Sequence, residues 1–300
     1  MKTKAIVTGG SGFIGSNLVD KLIEMQWEVV VIDNQSAAND VFYKNDKAAY
    51  YGLDVNSYDS IAHLFRGVDY VFHLAAESRI GPCVEDPVLA CRTNVIGTCN
   101  VLQAARTYGV KKVVYSSTSA CYGLANEPPL VETMKNDNLN PYSVSKLAAE
   151  DLCIMYNNLF DQKTTALRYF NVFGERMPDR GQYAPVVAIF QRQQRNGNTI
   201  TIVGDGKQSR DFVYVMDVVD ANIKAALSTK ADGEVYNVGT GTNVSVLEIA
   251  QCFAGNKEHL PPRAGEAQTT LANIDKIQKD LGWKPCVNVI DWIKEQNEKV

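Results

Sequence analysis

Short apolar, β-branched runs alternate along the first half of the chain with stretches whose apolar positions recur every three or four residues. KAIVTG predicts a strand, and SNLVDKLIEM predicts a helix with Leu18, Leu22 and Met25 on one face. WEVVVIDN and AAYYGLDV predict the next two strands. SYDSIAHLF predicts a helix, capped by Ser57, that buries Ile61, Leu64 and Phe65. VDYVFHLAA predicts a further strand and leads into one long helix from about Pro87 to Tyr108. KKVVYSSTS, a helix after Asn140, and a single strand through KTTALRYFNVFG continue the rhythm. Strands that are apolar nearly throughout are buried on both faces, as in a parallel sheet covered by helices. Strand and helix in strict alternation imply an α/β, doubly wound domain.

The pattern loosens after about Gly174. Glycine, proline and polar residues cluster at GERMPDRGQY, NGNTITIVGDGKQSRDF and GNKEHLPPRAGEAQ. The expected division is a dinucleotide-type domain over 1–173 and a smaller, loop-rich substrate lobe over 174–300. Within the lobe, a segment of about 212–241, including DGEVYNVGTG, returns to pack on the first domain. No repeat or low-complexity tract separates the two parts.

Composition narrows the function classes. Of 300 residues, 45 % are hydrophobic and 21 % charged, as in soluble globular proteins. The net charge of -4 and the absence of aromatics among the basic residues near Arg192 and Arg195 give no support to nucleic-acid binding. Seven cysteines are odd in number and form no C-x-x-C pair, and only His63, His73 and His259 accompany them. No zinc spacing results, so no metal is expected, and buried free thiols in a reducing compartment are. MKTKAIVTGG is too poor in apolar residues for a signal peptide, and no run reaches membrane-spanning length. The expectation is a cytoplasmic protein without membrane contact.

Candidate chemistry sits where strands hand over to helices. In TGGSGFIG, Gly9, Gly12 and Gly15 are spaced three apart, and missing side chains let a pyrophosphate approach N–H groups at a helix start. Asp33, 18 residues past Gly15, ends the second strand, where a carboxylate can accept hydrogen bonds from an adenosine ribose. That acid repels a 2′-phosphate, which favours NAD over NADP. Asp54 and Val55 close the third strand, within reach of an adenine. Leu74, Ala75 and Ala76 close the fourth, leaving room for a cofactor backbone, and His73 is read as a satisfied structural histidine. Ser116, Ser117, Thr118 and Ser119 lie at the carboxyl edge of the fifth. In NPYSVSK, Asn140 and Pro141 start a helix, and Tyr142 and Lys146 share its face.

Taken together, TGGSGFIG, Asp33, HLAA, SSTSACYG, YSVSK and RYFNVFG resemble the extended short-chain dehydrogenase/reductase superfamily, in its nucleotide-sugar epimerase and dehydratase branch. The match runs in order from about residue 5 to residue 285. The resemblance implies a Rossmann sheet and bound NAD, with Tyr142 as catalytic base, Lys146 and the positive nicotinamide ring lowering the phenol's pKa, Lys146 also binding the nicotinamide ribose, and Thr118 bonding the reacting oxygen. It extends the NAD contacts to Phe13, Ile14, Asn34, Asn94, Ser116 and Tyr169. For the substrate, the resemblance implies a UDP-linked sugar, with Asn171, Arg210 and Arg263 at its diphosphate and Glu266 at the nucleoside ribose.

Dehydratases of the branch carry Asp-Glu directly after this threonine, and decarboxylases keep an acid two places on. Here Ser119 and Ala120 follow Thr118. That favours 4-epimerisation through a transient 4-keto sugar, with a decarboxylase, a dehydratase or a non-catalytic NAD-binding regulator as alternatives. Glu77 is a candidate acid on a different strand. Thr270, seven residues past Arg263, is read as bordering the sugar's C2 substituent and leaving room for an N-acetyl group. The resemblance also implies a homodimer through the helices near Asp86–Tyr108 and Pro141–Phe160, with Val88, Leu147 and Ile154 as available apolar positions.

Overall fold

The computed structural model of the chain describes residues 2–37, 42–179, 184–262 and 267–298. Its strands are β1 (Lys4–Thr8), β2 (Glu28–Ile32), β3 (Ala49–Tyr51), β4 (Tyr70–His73), β5 (Lys112–Thr118), β6 (Thr164–Tyr169), β7 (Asn171–Phe173), β8 (Ile200–Val203), β9 (Ser209–Arg210), β10 (Phe212–Tyr214), β11 (Glu234–Val238), β12 (Val244–Ser245) and β13 (Lys257–Leu260). Seven of them form one sheet in the order β11-β6-β5-β4-β1-β2-β3, every neighbouring pair parallel. The order reverses between β1 and β4, and a crevice opens there at the carboxyl ends of the strands.

The helices used below are α1 (Phe13–Glu24), α2 (Tyr58–Ile61), α3 (Ile80–Glu85), α4 (Pro87–Cys91), α5 (Gly97–Tyr108), α6 (Pro141–Phe160), α7 (Val186–Arg195) and α8 (Val215–Leu227). Successive strand residues point to opposite faces, so each strand feeds two cores. On one face Val7 and Val31 meet Leu18, Val19 and Leu22 of α1 and Val218 and Ala221 of α8. On the other, Ile6, Val30 and Val113 meet Val101 and Leu102 of α5 and Cys153 and Tyr156 of α6. Each such valine, leucine or isoleucine, fully buried, contributes about 1.5–3 kcal/mol. A third core, built on Phe173, Phe190, Ile200, Phe212, Phe253 and Trp292, lies under the short two-stranded sheets. Among the described residues, no helix is long and apolar enough to cross a membrane.

Local chemistry explains the start of α6. The Asn140 side chain accepts from Ser143 N at 3.0 Å, Ser143 Oγ accepts from Asn140 N, and Pro141 fills the first turn. Elsewhere the structure departs from the sequence pattern. Ser57 caps nothing through its side chain; its hydroxyl pairs with Ser60, and α2 tightens after one turn into a 3-10 segment. The third strand ends at Tyr51, so Asp54 and Val55 lie in the loop beyond it. The long helix is interrupted by a π segment, Arg92–Ile96, between α4 and α5. KTTALRYFNVFG is two strands: Phe170 N still bonds Val238 O, but Asn171 N bonds Asp211 O, and β7 leaves the main sheet to pair with β10. Cys83, Cys121 and Cys153 are buried as expected, whereas Cys91 and Cys286 are exposed.

Candidate active site

The glycines of the first turn are there for close approach. Gly9 has φ +70°, and a Cβ on it would sit 2.8 Å from Ala75 N; one on Gly15 would sit 2.2 Å from Gly9 O. A Cβ on Gly12 would meet nothing nearer than 3.4 Å, and Gly12 is the extended N-cap of α1 with no side-chain cap. The first N–H groups of that helix have no partner within it and lie at its positive end, a natural seat for an anion. Asp33 braces this turn by accepting from Ser11 N at 2.9 Å, and its other oxygen accepts from Gln35 N at 2.8 Å. Asp54 is held beside it by Asn34 Nδ2 at 3.1 Å.

These residues line a cavity of about 360 Å³ along the carboxyl edge of the sheet. Gly9, Gly12, Phe13, Ile14, Gly15, Asp33, Asn34, Asp54 and Val55 form one end of its wall, Leu74, Ala75 and Ala76 the middle, and Ser116, Thr118, Tyr142, Lys146 and Tyr169 the other end. Asn94 stands behind the wall rather than in it. It is buried, accepts from Glu77 N at 2.8 Å, and donates to Glu77 O and to Ser145 Oγ. Thr93, its neighbour on the π segment, lines the cavity, and π segments interrupt helices most often at functional sites. The uncapped turn and the acid after β2 suit a dinucleotide: its pyrophosphate would lie at α1 and its adenosine ribose at Asp33.

Tyr142 and Lys146 project from the same face of α6 toward β5. The Lys146 ammonium donates to Ser116 O and stands 4.4 Å from the centroid of the Tyr115 ring. Burial lowers its pKa to about 7. Burial also raises the Tyr142 pKa, with the Thr118 hydroxyl pulling the other way through a hydrogen bond. Among the protein's own groups, Lys146 does not figure in the shift of the phenol. In the protein's own field desolvation penalises the phenolate more than any neighbour favours it, and the same burial weakens the ammonium. Thr118 Oγ1 also accepts from Ala120 N at 3.1 Å, which fixes the hydroxyl at the end of β5. His73 is buried between Thr8 Oγ1 at 2.6 Å and Thr98 Oγ1 at 2.9 Å, and burial drops its pKa to about 3, the state of a structural histidine.

The residues read for the substrate lie apart from these walls. Phe170 and Val172 line the cavity, so Asn171 between them faces the second lobe, where its Nδ2 donates to Asp211 O at 3.0 Å and approaches Thr270 Oγ1 at 3.4 Å. Thr270 Oγ1 accepts from Asp211 N, Thr270 N bonds Ser209 O, and Arg210 donates to Ser209 O. Asn171, Arg210 and Thr270 are therefore gathered into one cluster. Arg263 and Glu266 lie outside the described residues.

Sequence reasoning missed two features. The first is the layer under Lys146. Glu150 accepts from Arg168 Nη2 and Nε, at 2.6 and 3.1 Å, and from the Ser117 hydroxyl at 2.5 Å. Its partners are 18 and 33 residues away in sequence, and no local pattern announces them. The second is the Ser78–Arg79 stretch of the cavity wall, for which the signal was present, two residues past HLAA and Glu77.

The model of the NAD dependent epimerase/dehydratase family matches residues 5–239. The chain belongs to that family. Among curated family members, a UDP-glucose 4-epimerase of Mycolicibacterium smegmatis is 34 % identical, over 98 % of this chain and 97 % of its own. A UDP-N-acetyl-α-D-glucosaminuronate decarboxylase of Bacillus cytotoxicus is 37 % identical, over 98 % of this chain and 99 % of its own. Among solved structures, the UDP-N-acetylglucosamine 4-epimerase of Methanobrevibacter ruminantium, in complex with UDP-N-acetylmuramic acid, superposes with a TM-score of 0.93. It is 31 % identical, and the match covers 99 % of this chain and 98 % of that one. The family is NAD-dependent, and the UDP-glucose 4-epimerase of Thermus thermophilus, 33 % identical with a TM-score of 0.88, was solved in complex with NAD.

Proposed function

We propose that the chain is a 4-epimerase of UDP-linked hexoses or N-acetylhexosamines, with NAD held along the cavity by the first-turn glycines, Asp33, Asn34, Asp54 and the β4 edge. One observation carries the reading: Tyr142, Lys146 and Thr118 converge at one end of the cavity, and the residues that follow Thr118 are Ser119 and Ala120. Neither can transfer a proton as a carboxylate does. NAD, when bound, supplies the hydride acceptor and donor, and its nicotinamide cation supplies the stabilisation of a phenolate that the protein's own groups do not. Tyr142 removes the proton of the 4-hydroxyl and later returns it. Thr118 donates to the reacting oxygen and holds it against the phenol. Lys146 adds positive charge behind the pair when protonated, and Asn94, through Glu77 and Ser145, fixes the loop and helix that frame them.

The test is Tyr142→Phe assayed with UDP-glucose and UDP-N-acetylglucosamine, products being followed by proton NMR. Turnover should fall roughly 10²–10⁴-fold with NAD still bound. Unchanged turnover would overturn the assignment. A second reading, dehydration or decarboxylation, draws on Glu77, which lines the cavity and whose carboxyl is pushed up by burial. Loss of water from these sugars, or of carbon dioxide from UDP-glucuronate assayed beside them, would select it, and no reaction with any of the three would favour the regulator.

The remaining parts of the proposal are finer. The lobe beyond residue 173 binds the nucleotide sugar, with β11 and α8 serving the main sheet. Thr270, small and beside Asn171, leaves space for an N-acetyl group; Thr270→Tyr should then lose mainly the acetylated substrate, and equal losses on both sugars would refute it. The enzyme works in the cytoplasm as a homodimer. Val88 and Val144 are 68 % and 48 % exposed on α4 and α6 and suit a partner helix pair, but Leu147 is 7 % exposed and belongs to the core, so it drops out of that interface. Sedimentation showing only monomer at micromolar concentration would refute the dimer.

A further inference from the structure

Arg79 is a cation the proposed reaction does not use. It is half-buried, lines the cavity with Glu77 and Ser78, and caps the start of α3 in extended backbone. Helix α3 packs on α6, and its Cys83 lies close enough to Tyr142 and Lys146 to act on the charge of both. Arg79 therefore stands at the end of the cavity where the sugar reacts, away from Asp33 and Asp54. Among the described residues its guanidinium makes no hydrogen bond or ion pair. Glu77, the nearest acid, feels its charge but is satisfied otherwise, by the backbone N–H groups of Ser78 and Arg79. The backbone that carries Arg79 is fixed, because Asn94 grips Glu77 by both N–H and C=O.

A half-buried guanidinium, preset on a rigid loop and left with its forked donors unpaired, is suited to a planar anion. We infer that Arg79 forms a subsite for a carboxylate carried by the hexose, so that the protein takes acidic nucleotide sugars such as UDP-hexuronates as well as neutral ones. The inference rests on the nucleotide-sugar reading above. A diphosphate would offer Arg79 the same kind of contact, and the two sources are separable, because only the carboxylate differs between an acidic and a neutral UDP-sugar.

The experiment is equilibrium binding of UDP-glucuronate, UDP-glucose and UDP to the NAD-loaded protein, by calorimetry, in the parent, Arg79→Lys and Arg79→Ala. The parent should bind UDP-glucuronate at least as tightly as UDP-glucose. Arg79→Ala should weaken UDP-glucuronate by about 10- to 100-fold, the loss of one charge-assisted bidentate contact, and leave UDP-glucose and UDP within about twofold. Arg79→Lys should recover part of the loss. Equal weakening of all three ligands would assign Arg79 to the diphosphate and overturn the inference, as would no change in any of them. Parent protein that binds UDP-glucose but not UDP-glucuronate overturns this inference alone. Parent protein that binds neither sugar overturns it together with the reading on which it rests.

Discussion

Two buried cations lie against one helix, and their surroundings separate a catalytic group from a structural one. Lys146 is 3 % exposed, has the Ser116 carbonyl and the Tyr115 ring as its partners among the described residues, and has its pKa lowered by burial to about 7. Arg168 is 4 % exposed, yet the bidentate Glu150 carboxylate outweighs burial and raises its pKa above the ordinary arginine range. Glu150 is on α6, one turn beyond Lys146. The same helix thus supplies a full counter-charge to one cation and withholds it from the other. A buried charge costs several kcal/mol unless it is paired and hydrogen-bonded. At Lys146 that cost is left in place, so its proton is loosely held near neutral pH beside the phenol; at Arg168 it is cancelled, and the pair ties α6 to β6.

Breaking the satisfied pair should have the largest effect. Glu150→Gln leaves the Arg168 charge buried against Tyr122 and Ser117, and a loss of about 3–5 kcal/mol in urea unfolding is expected. The double variant Glu150→Leu with Arg168→Met should regain most of it. A single-variant loss below about 1 kcal/mol would erase the contrast. Removing the unsatisfied charge should do the opposite. Lys146 titrates near 7 in the folded chain and at its ordinary, higher value once unfolded. Between those values the unfolded chain holds the extra proton, so the parent gains stability as pH rises. Below about 7 both states are charged and the full cost is felt. Lys146→Met should therefore be more stable than the parent near pH 6, its advantage shrinking by about 3 kcal/mol by about pH 9. An advantage independent of pH would show that packing, not charge, is responsible. The smallest change is Ser117→Ala, which removes one donor from Glu150 and should cost about 1 kcal/mol with Lys146 chemistry untouched. A larger effect on turnover than on stability would mean that the two cations are coupled after all.

Much of the cavity could be read from local sequence because its walls are strand ends. Gly9, Gly12 and Gly15, Asp33, Leu74 to Ala76 and Thr118 each follow the end of an apolar run, a parallel sheet brings all such stops to one edge, and the Tyr142–Lys146 pair opens a helix with a legible cap. Asn94 was found but misplaced, since a regular helix over 87–108 gives no hint of the π segment that turns Thr93 to the cavity and Asn94 behind it. Asn171, Arg210 and Thr270 were harder. Their cluster depends on the chain changing sheets at Phe170 and on a segment near residue 270 returning to β9, pairings set by contacts about 40 to 100 residues apart.

The sequence by itself determined the alternation of strand and helix, the glycine turn, the acid after the second strand and the capped helix carrying tyrosine and lysine. All are short-range: steric freedom at glycine, side-chain caps, and the spacing of apolar residues. Only the tertiary structure decided which buried charge has a partner. Glu150 meets Arg168 and Ser117 because β5, β6 and α6 pack against each other, and Lys146 meets a carbonyl and an aromatic ring for the same reason. Whether an ionisable side chain becomes a brace or a reagent depends on the desolvation and counter-charge around it, and both are properties of the packed fold.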